Sequence, residues 1–323
     1  MTFNDNANLD TSQVESGGSG GGGFGGGGGG ISPGGIGVGG IGGLIIMILM
    51  VLFGGNLTGG TSGTGTGTGQ QGGLGQDTSQ IGAAGSGGDQ VASSISQCKT
   101  GADANRDDTC RVIGTVNSVQ NFWNGALPKY GKSYSPAKTV LYSGATQTAC
   151  GTGSSQMGPF YCPLDQKVYI DVSFFSELSS KYGADGGNLA QMYVVAHEYG
   201  HHVQNIFGVL DRAQQDPQGA QSAAVRTELQ ADCYAGIWVH FASTTKDAEG
   251  NILLKQPTDQ DIQSALSAAS AVGDDRIQEK AQGRVTPENW THGSSAQRQK
   301  WFMTGYQSGD VNACDTFNAQ DLG

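Results

Sequence analysis

The sequence predicts an α+β protein: a mainly helical domain with a small sheet at residues 91–323, preceded by a disordered glycine-rich N-terminus at 1–35, one transmembrane segment at 36–53 and a flexible Gly/Thr/Ser linker at 54–90. Three observations lead there. Of the 56 glycines in 323 residues, 34 fall in the first 90, and a segment so composed cannot offset its ordering entropy by burying side chains. Residues 36–53 are uncharged and end in Leu-Ile-Ile-Met-Ile-Leu-Met-Val-Leu-Phe53. The remaining residues have ordinary glycine content, and helical patterns dominate them with a few short β-branched runs ahead.

Eighteen residues can just span a hydrocarbon core of about 30 Å as a helix. A buried core helix is a poorer reading, because both flanks are glycine-rich, and a cleaved signal peptide would begin earlier and carry a basic n-region. The first basic residue is Lys99, so flanking charge does not orient the span. The cysteines do. All six lie after residue 90, none in a Cys-x-x-Cys pair, a pattern that fits disulfides in an oxidising compartment. Neighbours in sequence suggest Cys98 with Cys110, Cys150 with Cys162, and Cys233 with Cys314. The expected location is therefore the cell membrane, single-pass, with the domain extracytoplasmic. A net charge of -11 leaves no basic footprint for nucleic acid. No residue pattern sets an oligomeric state.

Within the domain, Val112, Ile113, Val116, Val119 and Phe122 recur at helical spacing and predict a helix over Arg111 to Phe122. Lys138 to Tyr142 and Gln166 to Val172 read as strands, with Ser143 to Gly158 a loop between them. Gly186-Gly187 and Gly208 bracket a helix at Asn188 to Phe207. Asp216-Pro217 reads as the start of a helix that runs to about Ala242. Thr258 and Asp261 form a capping box for a helix through Val272, and a last helix covers Ser295 to Gln307.

The chemistry concentrates in His197-Glu198-Tyr199-Gly200-His201. Four residues apart on a helix, His197 and His201 share a face and can fill two tetrahedral positions of one Zn²⁺, with Glu198 beside them as general base. A third protein ligand is needed. Glu228-Leu-Gln-Ala-Asp232 supplies it on the next helix: Glu228 as ligand, and Asp232 accepting the free ring N–H of a ligating histidine. His292 is the candidate donor to a developing oxyanion, with Tyr306 behind it. His202 points about 100° away from the ligand face and is read as a packing or hydrogen-bonding residue, as is His240. The strand Gln166 to Val172 is the expected edge for an extended peptide substrate.

These residues resemble the bacterial neutral zinc metallopeptidase family, membrane-anchored proteins of the gluzincin type with His-Glu-x-x-His followed by Glu-x-x-x-Asp. The similarity covers most of residues 100–320, through Gly158-Pro-Phe-Tyr-Cys-Pro-Leu-Asp-Gln-Lys-Val-Tyr-Ile170, His197-Glu-Tyr-Gly-His-His-Val-Gln204, Glu228-Leu-Gln-Ala-Asp-Cys-Tyr-Ala-Gly236 and Thr291-His-Gly-Ser-Ser-Ala-Gln-Arg298. The resemblance implies a zincin-like fold, His197, His201 and Glu228 as ligands, Glu198 as base, and an anchored peptidase acting on peptides or proteins. The chain departs from the family pattern in its acidic, glycine-rich N-terminus and in the added Cys98 and Cys110 pair. Two other functions compete: a non-catalytic, zinc-stabilised extracytoplasmic binding module, and a zinc hydrolase of a non-peptide substrate. The intact Glu198 disfavours the first, since a structural site needs no base and commonly offers a fourth Cys or His.

Overall fold

The computed structural model describes residues 1–17 and 86–323. The expected span at 36–53, the disorder expected over 18–35 and the linker over 54–85 lie outside these residues. Among the described residues no helix is long and apolar enough to cross a membrane.

The order of elements is strand β1 (Val14–Ser16), helices α1 (Ser86–Gln97) and α2 (Asp108–Ala126), strands β2 (Lys138–Tyr142), β3 (Ala145–Thr148), β4 (Gly151–Ser154), β5 (Phe160–Cys162) and β6 (Lys167–Asp171), then helices α3 (Phe174–Ser180), α4 (Asn188–Phe207), α5 (Ala223–Phe241), α6 (Asp259–Ala271), α7 (Asp274–Gln282) and α8 (Ser295–Ser308). A four-stranded sheet runs β1-β2-β6-β5, parallel from β1 through β6 and antiparallel at β5; β3 and β4 form a separate hairpin. Four of the five residues in each of β2 and β6 are buried. Such near-continuous burial is what central strands covered on both faces require.

Several expectations need correction, among them the flexible linker through residue 90, because α1 begins at Ser86. The disorder expected over 1–35 fails for residues 1–17, where Phe3 is fully buried and β1 pairs with β2 in register Val14 to Thr139. The expected loop at 143–158 contains the hairpin β3–β4, clipped to β5 by Cys150–Cys162. And β6 is not an edge, because β2 and β5 flank it; the edges are β1 and β5. The other two disulfides, Cys98–Cys110 and Cys233–Cys314, pair as the sequence suggests.

Helix α4 opens after Gly187 and closes on Gly208, whose left-handed φ of 76° ends the turn without a Cβ clash. Helix α5 starts at Ser222, whose hydroxyl accepts from the Val225 N–H, rather than at Asp216-Pro217. Asp216 still serves this end: its carboxylate accepts from the Ala223 N–H at 3.1 Å. Capping boxes at Thr258/Asp261 and Ser294/Gln297 start α6 and α8. The core gathers Trp123, Trp238, Tyr193, Tyr199 and Phe302 between the helices, each at most 1 % exposed.

Helices α5 and α8 touch backbone to backbone. A Cβ on Gly236 would lie 2.1 Å from the Phe302 carbonyl oxygen, and one on Gly305 only 1.9 Å from that of Cys233. Both positions require the absence of a side chain. Gly305→Ala should therefore lower stability by about 1–3 kcal/mol, the usual cost of overpacking, read as a reduced midpoint in urea unfolding.

Candidate metal centre

Helix α4 carries His197, Glu198 and His201, and α5, packed against it, carries Glu228 and Asp232. The spacing of four puts both imidazoles on the α4 face that meets α5. His197 Nε2 lies 3.1 Å from Glu228 Oε2, and His201 Nε2 lies 3.5 Å from Glu228 Oε1. One donor atom from each of the three residues falls within a sphere where all are within 4.8 Å of one another.

The tautomers follow from the surroundings. His197 Nδ1 faces the Asp232 carboxylate at 2.8 Å, which can only accept, so Nδ1 carries the proton. His201 Nδ1 faces Gln204 Oε1 at 2.8 Å. The Gln204 amide is itself fixed, because its nitrogen donates to the Thr227 carbonyl at 2.7 Å and to Gln230 Oε1 at 3.1 Å. Both Nε2 lone pairs are thereby turned towards a carboxylate that also offers only lone pairs. Buried acceptors facing one another need a positive charge between them. A proton is one such charge: burial lowers the His197 pKa, but Asp232 and Glu228 override it and raise the value to about 10, and a bound cation would take that proton's place. Burial likewise works against the Glu228 carboxylate, yet the imidazoles of His201, His292 and His197 hold it ionised far below the usual carboxylate range. Two histidines and one carboxylate with an open fourth position are the donor set of a catalytic zinc.

Behind the ligands sits a buried ionic cluster. The fully buried Asp232 accepts from Arg298 Nε at 2.8 Å, from Arg298 Nη2 at 2.9 Å, from the Tyr193 hydroxyl and from His197 Nδ1. Arg298 and His197 keep its carboxylate ionised against the cost of burial. Arg226, a nearby cation on α5, bonds instead to the carbonyls of Thr316 and Ala319.

Glu198 points into the same cavity. It is 6 % exposed, its Oε2 has no hydrogen-bond partner, and burial pushes its pKa up against the pull of His197 and His201. His292 lines the cavity too, 3.4 Å from Asp274. Asp274 gathers the backbone N–H groups of Thr291, His292 and Gly293 at 2.6, 2.7 and 3.1 Å, which fixes the loop that presents His292. Tyr306 does not stand behind His292: its carbonyl accepts from His240 Nδ1 at 2.7 Å, and its ring stacks on Phe302. His202 donates from Nε2 to the Ser135 carbonyl at 2.6 Å and accepts at Nδ1 from Tyr161, a structural role.

The structure thus brings together His197, Glu198, His201, Glu228, Asp232 and His292, and excludes Tyr306. Sequence reasoning missed Arg298, Tyr193, Gln204 and Asp274. Tyr193 and Gln204 carried a signal, being four residues before His197 and three after His201 on the same helix. The other group of ligand-type side chains among the described residues, Cys98, Asp107 and Cys110, has both sulfurs in a disulfide and cannot ligate. Asp232→Asn should lower zinc affinity about 10- to 100-fold, the usual effect of losing a partner behind a ligand, as read by competition with a chelator on the purified protein.

Three comparisons bear on this geometry. The chain is 57 % identical over 230 residues to an uncharacterized protein of Mycobacterium tuberculosis H37Rv, covering 71 % of this chain and 77 % of that one. It is 44 % identical over 219 residues to the uncharacterized protein YpfJ of Escherichia coli K12, covering 66 % and 73 %. No solved structure shows a significant match. The profile of the family described as "Putative neutral zinc metallopeptidase" matches residues 1–317, and the chain belongs to that family.

Proposed function

We propose that the chain is a zinc-dependent peptidase in which His197, His201 and Glu228 hold the ion and Glu198 is the general base. The observation that carries this reading is the orphaned, buried Glu198 Oε2 beside a three-donor set, His197, His201 and Glu228. A closed structural site would leave that carboxylate without purpose. When bound, the ion supplies a Lewis acid that polarises a carbonyl and acidifies a water.

The protein's own residues do the rest. Glu198, its pKa raised by burial, takes a proton from the attacking water and can return it to the leaving amine. At His292, burial opposes protonation, but Glu228 and Asp274 outweigh it and raise the pKa; a ring N–H there, at the wall of the cavity, is the candidate donor to a developing oxyanion. Arg298 and Tyr193 hold Asp232, which holds the His197 ring.

Beside Glu198 the cavity, about 110 Å³, is walled by Met157, Pro159, Phe174, Tyr182, Val194 and Ile277. These surfaces are apolar, while His197, Glu198, His201, Glu228, His292 and Arg298 line the rest of the same cavity, so an apolar side chain beside the scissile bond suits this wall. The three disulfides support an extracytoplasmic site of action.

Metal analysis of the purified chain should find one zinc, with Glu198→Gln retaining it while turnover falls at least 10²- to 10⁴-fold. Unchanged turnover would sink the mechanism. In a peptide library, Val, Leu, Ile and Met should be enriched beside the cleaved bond, and Ile277→Ala should admit larger side chains. Indifference to side-chain size, or cleavage of esters without peptides, would overturn the substrate assignment.

A further inference from the structure

The domain holds residues 1–17 as a receptor holds a peptide. Met1, Phe3, Ala7 and Val14 are all buried. Two asparagine side chains each bracket one residue of the segment: Asn105 accepts from the Phe3 N–H at 2.8 Å and donates to the Phe3 carbonyl at 3.0 Å, and Asn117 does the same to Asp10 at 2.9 and 3.0 Å. Backbone bonds continue the grip. Lys255 N–H donates to Thr2, Asn4 to Leu253, Gly101 to Ala7, Leu9 to Lys99 and Gly17 to Leu141, all between 2.7 and 2.9 Å. The groove is shaped for its occupant, since a Cβ on Gly101 would lie 1.9 Å from the Asn4 carbonyl oxygen and one on Gly114 2.5 Å from the Phe3 ring. An ion pair of Glu15 with Lys167 reaches from β1 past β2 to β6. The family profile starts at residue 1 and so includes the segment.

A strand paired with its neighbour cannot lie on the other side of a bilayer from it. We propose that residues 1–17 and 86–323 occupy the same side of any membrane the chain meets. A single span at 36–53 would put the two on opposite sides, so this proposal stands against that expectation. Exchange of the segment between two copies does not relax the constraint, since copies inserted alike share one orientation.

The test uses the full chain in a bacterial host and does not depend on the peptidase reading. Single cysteines are added as Gly25→Cys or as Glu288→Cys, an exposed position, and each variant is treated with a membrane-impermeant maleimide in intact spheroplasts and after lysis. A cooperative urea-unfolding transition like that of the parent chain verifies that each variant is folded. The expected result is that both sites behave alike, labelled in intact spheroplasts or both only after lysis. Labelling of Glu288→Cys in intact spheroplasts with Gly25→Cys labelled only after lysis, or the reverse, would establish a single crossing and overturn the proposal.

Discussion

Everything at the metal centre depends on one buried carboxylate. Asp232 is fully enclosed, so its charge is tolerable only because Arg298 meets it with two N–H groups while Tyr193 and His197 complete its shell. That arrangement joins three helices at one point: Tyr193 and His197 from α4, Asp232 from α5, Arg298 from α8. The ionic cluster fixes the rotation of α4 about its axis, and with it the direction in which the His197 lone pair points. Glu228, one turn before Asp232 on α5, is placed by the same contact.

The electrostatics divide labour along α5. Asp232 faces a permanent cation, Arg298, and is neutralised by the protein itself. Glu228 faces the Nε2 atoms of two imidazoles whose Nδ1 groups are engaged elsewhere, so its charge is met by a proton or a metal ion held between them rather than by a permanent cation. Two carboxylates four residues apart, alike in sequence, therefore act differently because of what lies opposite each.

This local logic explains what could be read from sequence. Helical spacing is a short-range property, and it bounds α4 and places His197, His201, Glu228 and Asp232 without any knowledge of the fold. Arg298 was invisible as a partner because it lies 66 residues from Asp232 and nothing in the spacing joins them. The order of strands is equally non-local: β6 has the composition of a strand at any position in a sheet, and only the pairing of β2 and β5 on either side shows it to be interior. The N-terminal segment was hidden by averaging. Residues 1–16 contain no glycine, but the composition of the first 90 is dominated by the glycine-rich run from Gly17 onwards. The start of α5 slipped for a milder reason, since Asp216 does bond to that helix, though from outside it.

The grip on residues 1–17 also sets an order of events during synthesis. This segment leaves the ribosome first, yet Leu253 and Lys255, to which Asn4 and Thr2 are hydrogen-bonded, emerge about 250 residues later. At a bacterial rate of roughly 5–20 residues per second, the segment waits on the order of 10–50 s for its complete groove. Phe3, which pairs with Leu254, waits for most of that interval, whereas β1 meets β2 at residues 138–142 much earlier, so the sheet edge can close before α4 and α5 have been made.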